Sequence, residues 1–479
     1  MPLVSYAQRL LDHAHAAPDR IAVTDPYRSV TRGELDALAT RTAHAFADLG
    51  VVEGDLVTIA LPNCIEFVAA MIACWKLGAV PQPVSFMAPA IEVQAIVKLA
   101  DSKVIVGAEP GSHGARVCLG QGWVPPTDDV TPLPDAVSKP FKAMTSGGST
   151  GRPKLILAGG GGLIDPDLPP LLMIDPNGCM MVPGPMYHNG PFMWTMTALL
   201  AGASVVLGGR FDAETTLALI DEHHADVLYV VPTMMQRIWR LPEAVRNRYD
   251  VSSLRVVWHL AAPCPAWLKE AWIDWLGPEK IVELYAGTEA QASTVIIGTQ
   301  WLEHRGSVGR PLSGQMKIVG PDGEKLPAGE VGEIFMRPAD PKTKTYEYVG
   351  AEARTIGDGW ESLGDMGWFD ADGYLYLADR KADMILVGGA NVYPAEVEAA
   401  LEEHPAVQSA VVIGLPDEDL GHTPHALVYA NGDISDDDLR AFLGERLVRY
   451  KIPRSFEFVD EPLRDDAGKV RRSALREAR

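Results

Sequence analysis

The chain has 479 residues, with 42 Lys and Arg against 63 Asp and Glu and a formal net charge of −21. At roughly 100–200 residues per domain the length predicts two to four domains, and 47% hydrophobic with 22% charged residues excludes wholesale disorder and collagen-like architectures. The acidic balance disfavours a nucleic-acid partner, because binding to phosphate backbones relies on clustered Lys and Arg. It leaves a small anionic ligand open, since a local basic site outweighs distant acidic surface that salt screens over about 8–10 Å.

The five cysteines, Cys64, Cys74, Cys118, Cys179 and Cys264, are odd in number and widely spaced, so neither a zinc ribbon nor a disulfide framework fits. A reducing cytoplasm is the expected setting. The opening twenty residues carry acids and histidines where a signal peptide needs an unbroken apolar stretch. The apolar run Phe67 to Trp75 is far short of the ~20 residues that cross a bilayer. A soluble protein without a transmembrane segment is expected, with a homodimer left open.

In chain order, Thr31 stands three residues before Glu34 as a capping pair, and Leu35, Leu38, Ala39, Ala43 and Phe46 recur at helical spacing. A strand is predicted over Asp55 to Ala60, a helix over Glu66 to Leu77, a helix over Ile91 to Leu99, and a strand from Lys103. Glu109 to Lys139 reads as surface loop. A strand-like Phe141 to Met144 leads into a glycine-dense segment, after which strand and helix alternate through Ala203 to Leu207, Ala213 to His223 and Val227 to Val231. Gly306 to Arg337 reads as short strands with Pro-Asp-Gly-Glu turns, a small β subdomain. From about Ala382 a compact α+β unit follows: helix Pro394 to His404, strands Val407 to Gly414 and Ala426 to Ala430, helix Ser435 to Leu447, strand Ser455 to Val459. The fold class expected is α/β: a large N-terminal domain of βα-layered sheets with a small β subdomain (1–380), and a small mobile α+β C-terminal domain (381–479).

The strongest local signal is Thr145-Ser146-Gly147-Gly148-Ser149-Thr150-Gly151-Arg152-Pro153-Lys154. Glycines let backbone N–H groups converge, hydroxyls add donors and Lys154 adds positive charge, together a site for phosphate oxygens. No Gly-Lys-Ser/Thr follows, so it is not the GxxxxGK[ST] P-loop. Gly147 to Gly151 also satisfies G-x-S-x-G, but a hydrolase nucleophile elbow needs a helix directly after the serine, and Leu155-Ile156-Leu157 reads as a strand.

Further segments follow in order: Pro185-Met186-Tyr187-His188-Asn189-Gly190, Tyr285-Ala286-Gly287-Thr288-Glu289, Ser362-Leu363-Gly364-Asp365-Met366-Gly367, Asp379-Arg380-Lys381-Ala382-Asp383, Gly388-Gly389-Ala390-Asn391-Val392-Tyr393-Pro394, and Gly468-Lys469-Val470-Arg471-Arg472. Any one of them has a bland reading as a turn, a solvated helix start or a core histidine. Their order and spacing over nearly the whole chain resemble the ANL superfamily of adenylate-forming enzymes.

That resemblance implies a reaction in which a carboxylate attacks the α-phosphate of ATP and expels pyrophosphate, so that a metal and basic groups must neutralise developing charge. It assigns Glu289 to Mg²⁺, Thr288 to the α-phosphate, Tyr285 to the adenine, Asp365 to the ribose hydroxyls, Arg380 to ribose and phosphate, and Lys469 to the substrate carboxylate and α-phosphate. Thr145 to Gly151 and Lys154 would complete the ATP site. The acid pocket would include His188, Ala262, Ala286 and Gly287, with His188 also at the reacting end.

After adenylation the C-terminal domain of such enzymes rotates about a hinge, here Ala382 where members usually carry Asp or Lys. Gly388 and Gly389 would then open a channel for the pantetheine of CoA. The implied activity is an AMP-forming acid–CoA ligase acting on a hydrophobic acid up to the bulk of a steroid or terpenoid. A carrier protein in place of CoA is the runner-up, and a non-catalytic nucleotide-binding module is the alternative of another class. From Arg440 to Arg479 there are 11 Lys and Arg against 7 Asp and Glu, a basic end within an acidic chain, suited to compact polyanions such as ATP and CoA.

Overall fold

The computed structural model describes residues 2–114, 116–146, 153–417, 419–465 and 468–479. A sheet of fourteen strands forms its backbone. In its middle, Ser204–Leu207, Cys179–Val182, Val227–Val230, Val256–His259 and Ile281–Ala286 run parallel. Runs such as Val-Leu-Tyr-Val are fully buried, as strands covered on both faces require. The helix Asn189–Ala201 connects two of these strands and stops at Gly202, whose φ of 95° is the left-handed C-terminal stop that glycine adopts without strain. The loops that follow these strands gather at their carboxyl ends, where open α/β sheets build their sites.

The chain reading of Gly306 to Arg337 as short strands holds. These strands keep a small core of their own, with Val308, Ile318, Ile334, Met336 and Leu375. They are nonetheless hydrogen-bonded into the large sheet, because Ser307–Ser313 pairs with Ser293–Ile297 on one side and Leu375–Arg380 on the other. A second, parallel sheet comprises Val80–Pro83, Leu56–Ile59, Val104–Val106 and Val117–Leu119. Its last strand lies inside the stretch expected to be loop. Thr31 and Glu34 form the expected reciprocal cap at the start of the helix Arg32–Asp48. Ala143–Ser146 and Lys154–Ala158 form an antiparallel hairpin around the glycine loop, with Tyr346–Val349 added at the edge. A strand after the serine is what the hydrolase reading could not accommodate.

Leu375–Arg380 still belongs to the large sheet, whereas Ile385–Val387 already belongs to a separate five-stranded sheet. That sheet packs the helices Pro394–Glu402 and Asp436–Gly444 over a core of Val397, Leu401, Val412, Leu439 and Leu443. The terminal helix Arg472–Glu477 was not legible as one.

One group in this unit makes its stability depend on pH. Burial pushes the Glu402 carboxyl from 4.5 up to about 7, although its Oε1 accepts from the Ala410 N–H at 3.2 Å. The folded form therefore holds the proton more tightly than the unfolded one, and ionising Glu402 erodes stability as pH rises from 4.5 through about 7. Glu402→Gln, which keeps the acceptor, is expected to add roughly 1–3 kcal/mol at pH 8 and almost nothing at pH 4.5. Thermal unfolding at the two pH values checks this; an equal change at both contradicts it.

Candidate active site

Tyr285 closes the strand Ile281–Ala286, while Asp365 and Arg380 are direct cross-strand partners on Glu361–Phe369 and Leu375–Arg380. The register alone brings this carboxylate and this guanidinium together. Tyr285 Oη donates to Asp365 Oδ2 at 2.8 Å, and Arg380 Nε lies 3.3 Å from Asp365 Oδ1. Burial and the adjacent carboxylate hold the Tyr285 phenol well above its ordinary pKa, so it stays a neutral donor. The strand is braced from behind by the fully buried Lys269, whose Nζ donates to Glu283 Oε2 at 2.5 Å. A carboxylate flanked by a phenol and a guanidinium can grip vicinal hydroxyls beside an aromatic face.

Glu289 follows the same strand, in the turn that begins at Gly287, and is 6% exposed. Its Oε1 accepts from Tyr348 Oη and lies 3.6 Å from Lys154 Nζ, which sits 3.8 Å from the centre of the Tyr348 ring. Glu289 Oε2 stands over the bare backbone of Gly287: a Cβ there would be 2.9 Å from Oε2 and 2.4 Å from Leu363 Cδ1. Glycine thus leaves the space beside this carboxylate oxygen free of a side chain at 287. A single hard oxygen donor of this kind fits Mg²⁺, which prefers one or two carboxylates plus phosphate and water oxygens.

The C-terminal unit delivers Lys469 to the same place. The turn that carries it is tied by Lys469 N–H to Asp465 Oδ1 at 2.8 Å and Asp465 N–H to Lys469 O at 2.9 Å. Gly468, at φ 74°, lies against Thr233 and Ala262 of the large domain, where a Cβ would be 3.4 Å from Thr233 Oγ1. Surrounding protein lowers the proton affinity of the Lys469 amine, and the Arg380 charge lowers it further. Burial foremost, and then the Lys469 cation, push the His188 imidazole down to about 3. His188 is therefore neutral at pH 7, and its Nε2 is buried with no hydrogen-bond partner among the described residues.

The joint between the units is anchored on both sides. Lys381 donates from Nζ to Glu333 Oε2 at 3.0 Å and from its N–H to Gly364 O at 2.8 Å, both in the large domain. Asp383 instead accepts from Arg472 Nη1 at 3.0 Å, and Arg472 is also fastened to the buried Glu398 of the small unit at 2.7 Å. The exposed Ala382 is the residue between these two anchors. Two residues beyond Lys469, Arg471 Nη2 reaches both oxygens of Glu92 on the helix Ala90–Ala100 at 2.9 Å. This pair fastens the small unit in the orientation that presents Lys469. Because Arg471 is 72% exposed, the pair is worth no more than about 1 kcal/mol. Glu92→Gln should slow acid-dependent ATP–pyrophosphate exchange no more than about fivefold, with the deficit vanishing at high salt. A deficit that persists in 1 M salt contradicts the latch.

Tyr285, Glu289, Asp365, Arg380, Lys154, His188, Ala262 and Lys469 are thus brought into one cleft. Ala286 and Gly287 line its sheet side, Ala286 exposed and Gly287 against Glu289. Thr288 falls in the same turn. The Thr145 hydroxyl is engaged elsewhere, accepting from Gln82 Nε2 at 2.7 Å; Ser146 pairs in register with Lys154. Gly147, Gly148, Ser149, Thr150 and Gly151 lie outside the described residues. Gly388 and Gly389 form the exposed turn of the hairpin Ile385–Val387 and Ala390–Val392, with Leu420 as the near neighbour of Gly388.

Sequence reasoning missed Tyr348, Lys142 and Asn189. The alternation Tyr346-Glu347-Tyr348 signals two aromatics on one strand face, but nothing local connects them to Glu289. Lys142, only 5% exposed, donates to Asn189 Oδ1. Its burial drives the amine from 10.5 down to about 7, opposed by the Glu289 charge.

Residues 10–340 match the AMP-binding enzyme family and residues 396–469 the AMP-binding enzyme C-terminal domain. A feruloyl-CoA synthase of Amycolatopsis is 32% identical over 97% of this chain and 96% of its own length. A fatty acid–[acyl-carrier-protein] ligase, ScoC, of Streptomyces coeruleorubidus is 31% identical over 97% and 94%. Among solved structures, o-succinylbenzoate CoA synthetase from Bacillus subtilis in complex with its acyl-adenylate intermediate superposes with a TM-score of 0.84 at 26% identity, covering 100% of this chain and 99% of that one. Together with the cleft's geometry, these matches place the chain in the AMP-binding enzyme family, within the adenylate-forming ANL superfamily.

Proposed function

We propose that the cleft activates a hydrophobic carboxylic acid with ATP and passes the acyl group to the thiol of CoA. The protein is an AMP-forming acid–CoA ligase. The observation that carries this reading is the seating of the Lys469 turn on Thr233 and Ala262, which sets an ammonium opposite Arg380 and beside a neutral His188. In the first half-reaction the acid's carboxylate oxygen bonds to the α-phosphorus as the bond to pyrophosphate breaks.

Tyr285 packs the adenine, Asp365 grips the ribose hydroxyls, Arg380 and Thr288 hold the α-phosphate, and Lys154 with the glycine loop holds the outer phosphates. Lys469 bridges the two reacting anions, lowering the repulsion between them. Glu289 would hold Mg²⁺, which supplies further neutralisation of phosphate charge when bound. His188, Ala262, Ala286 and Gly287 shape the acid's reacting end.

In the second half-reaction the unit beyond Ala382 turns about that residue, withdrawing Lys469 and bringing Gly388 and Gly389 to the cleft for the pantetheine arm. The two side-chain anchors flanking Ala382 support it as the pivot, since the Lys381 amine is held by the large domain and the Asp383 carboxylate by the small unit. The proposed setting is the cytoplasm, consistent with five free cysteines. No helix among the described residues is long and apolar enough to cross a membrane.

Transfer to a carrier protein is the second reading, favoured by the likeness to ScoC. Acid-dependent ATP–pyrophosphate exchange over a panel of fatty, aryl and polycyclic acids, run beside thioester formation from CoA, tests the proposal. Exchange without CoA thioester would move the acyl acceptor to a carrier protein.

A further inference from the structure

Lys142 is a buried amine the reaction as described does not use. It stands just before the strand Ala143–Ser146, 5% exposed, and donates to a neutral amide oxygen, Asn189 Oδ1. An ammonium buried against a neutral partner costs several kcal/mol unless an anion completes its surroundings.

Its position makes the cost larger. Asn189 is the first residue of the 13-residue helix Asn189–Ala201, whose N-cap, His188, makes no side-chain cap bond. The N-terminal pole of a helix repels a cation, so two positive features meet where electrostatics alone would separate them. His188 Nε2 is buried there with no hydrogen-bond partner among the described residues. Glu289, the carboxylate whose charge Lys142 feels, is already shared with Lys154 and Tyr348. Lys142 is also four residues from Ser146, roughly 13 Å along an extended strand, which separates its backbone from the glycine loop and the phosphates held there.

We propose that Lys142, together with the start of the helix Asn189–Ala201 and His188, forms the floor of a subsite for the carboxylate of the substrate acid, opposite Lys469 on the mobile unit. This rests on the acid-activating reading above and adds a residue that selects the anionic end of the substrate. Lys469 leaves the cleft when the small unit turns, whereas Lys142 is part of the fixed floor. The acid can therefore be held by its charged end before the small unit closes.

Lys142→Met removes the charge and keeps the stem, a change that is commonly neutral or stabilising for a buried ion. Lys142→Gln keeps a donor for Asn189 and serves as the second variant, with thermal unfolding reporting the fold of both. Two readouts are taken. In pyrophosphate exchange, both variants should raise the KM for the acid by about tenfold or more, as for loss of a charged hydrogen bond, with the KM for ATP within about twofold. In ligand-induced thermal shift without ATP, wild-type protein should prefer octanoate and ferulate over octanamide and ferulamide, and the variants should lose that preference.

An unchanged KM for the acid, or a rise in the KM for ATP in its place, overturns the assignment, as does a variant that still prefers acid to amide. Wild-type protein that prefers the acids in thermal shift yet shows no exchange would sink the ligase reading and leave the subsite standing.

Discussion

Lys469→Ala should lower acid-dependent ATP–pyrophosphate exchange by roughly 10²–10³-fold, the range for loss of one preorganised group that stabilises transition-state charge. Transfer of the acyl group from supplied acyl-adenylate to CoA should stay within about threefold of wild type. The split follows from geometry. Lys469 rides on a turn held by Asp465 and seated on Thr233 and Ala262, and in the proposed cycle it serves the first half-reaction and is carried away for the second. Arg464 stiffens the turn by donating to Gly468 O at 3.1 Å while paired with buried Glu398. The amine enters already positioned, with its proton affinity lowered by its surroundings and by Arg380. Equal losses in both half-reactions would show that the substitution disturbs the small unit as a whole and would remove Lys469 from the chemistry.

Glu289→Gln is expected to reduce kcat/KM for ATP by a similar factor, roughly 10²–10³-fold, with partial recovery at higher Mg²⁺ concentration. The amide can still accept from Tyr348 through its oxygen, so the structural bond survives while the charge does not. What is lost is the anionic oxygen over Gly287, where Mg²⁺ would be held. Lys154 would at the same time lose the carboxylate 3.6 Å away that supports its positive charge. Activity that is reduced but indifferent to Mg²⁺ would mean that Glu289 serves only to orient Lys154 and Tyr348.

The elements that could be read from the chain are those with strong periodicity or caps. Thr31 with Glu34, the buried run Val227–Val230 and the helix Ala213–His223 all lie where local pattern puts them. The strand Val117–Leu119 was hidden because its three residues sit among Gly, Pro and Asp, and only pairing with Val104–Val106 makes it a strand. In the site, Asp365 and Arg380 could be named from motifs, but their meeting depends on a cross-strand register that spans fifteen residues. Tyr348 and Lys142 carried no motif. Tyr348 reaches Glu289 across 59 positions and Lys142 reaches Asn189 across 47, so their roles exist only in the fold. The proposed role of Ala382 as pivot likewise depends on what its neighbours bind, Lys381 holding Glu333 and Asp383 holding Arg472, and not on the alanine.

The acidic average of the chain is reconciled with a polyanionic substrate in the same way. Lys142, Lys154, Arg380 and Lys469 come from distant stretches and gather near Glu289 and Asp365, so basic groups are concentrated in the cleft of a protein of net charge −21. Such a cleft concentrates compact anions while the surface remains acidic.

The most direct measurement of the central claim is a product balance for the purified chain given ATP, Mg²⁺, CoA and the acid that drives the fastest exchange. The account predicts one AMP, one pyrophosphate and one acyl-CoA thioester for each acid consumed, with no ADP. ADP in place of AMP, or AMP released without any thioester, would contradict it.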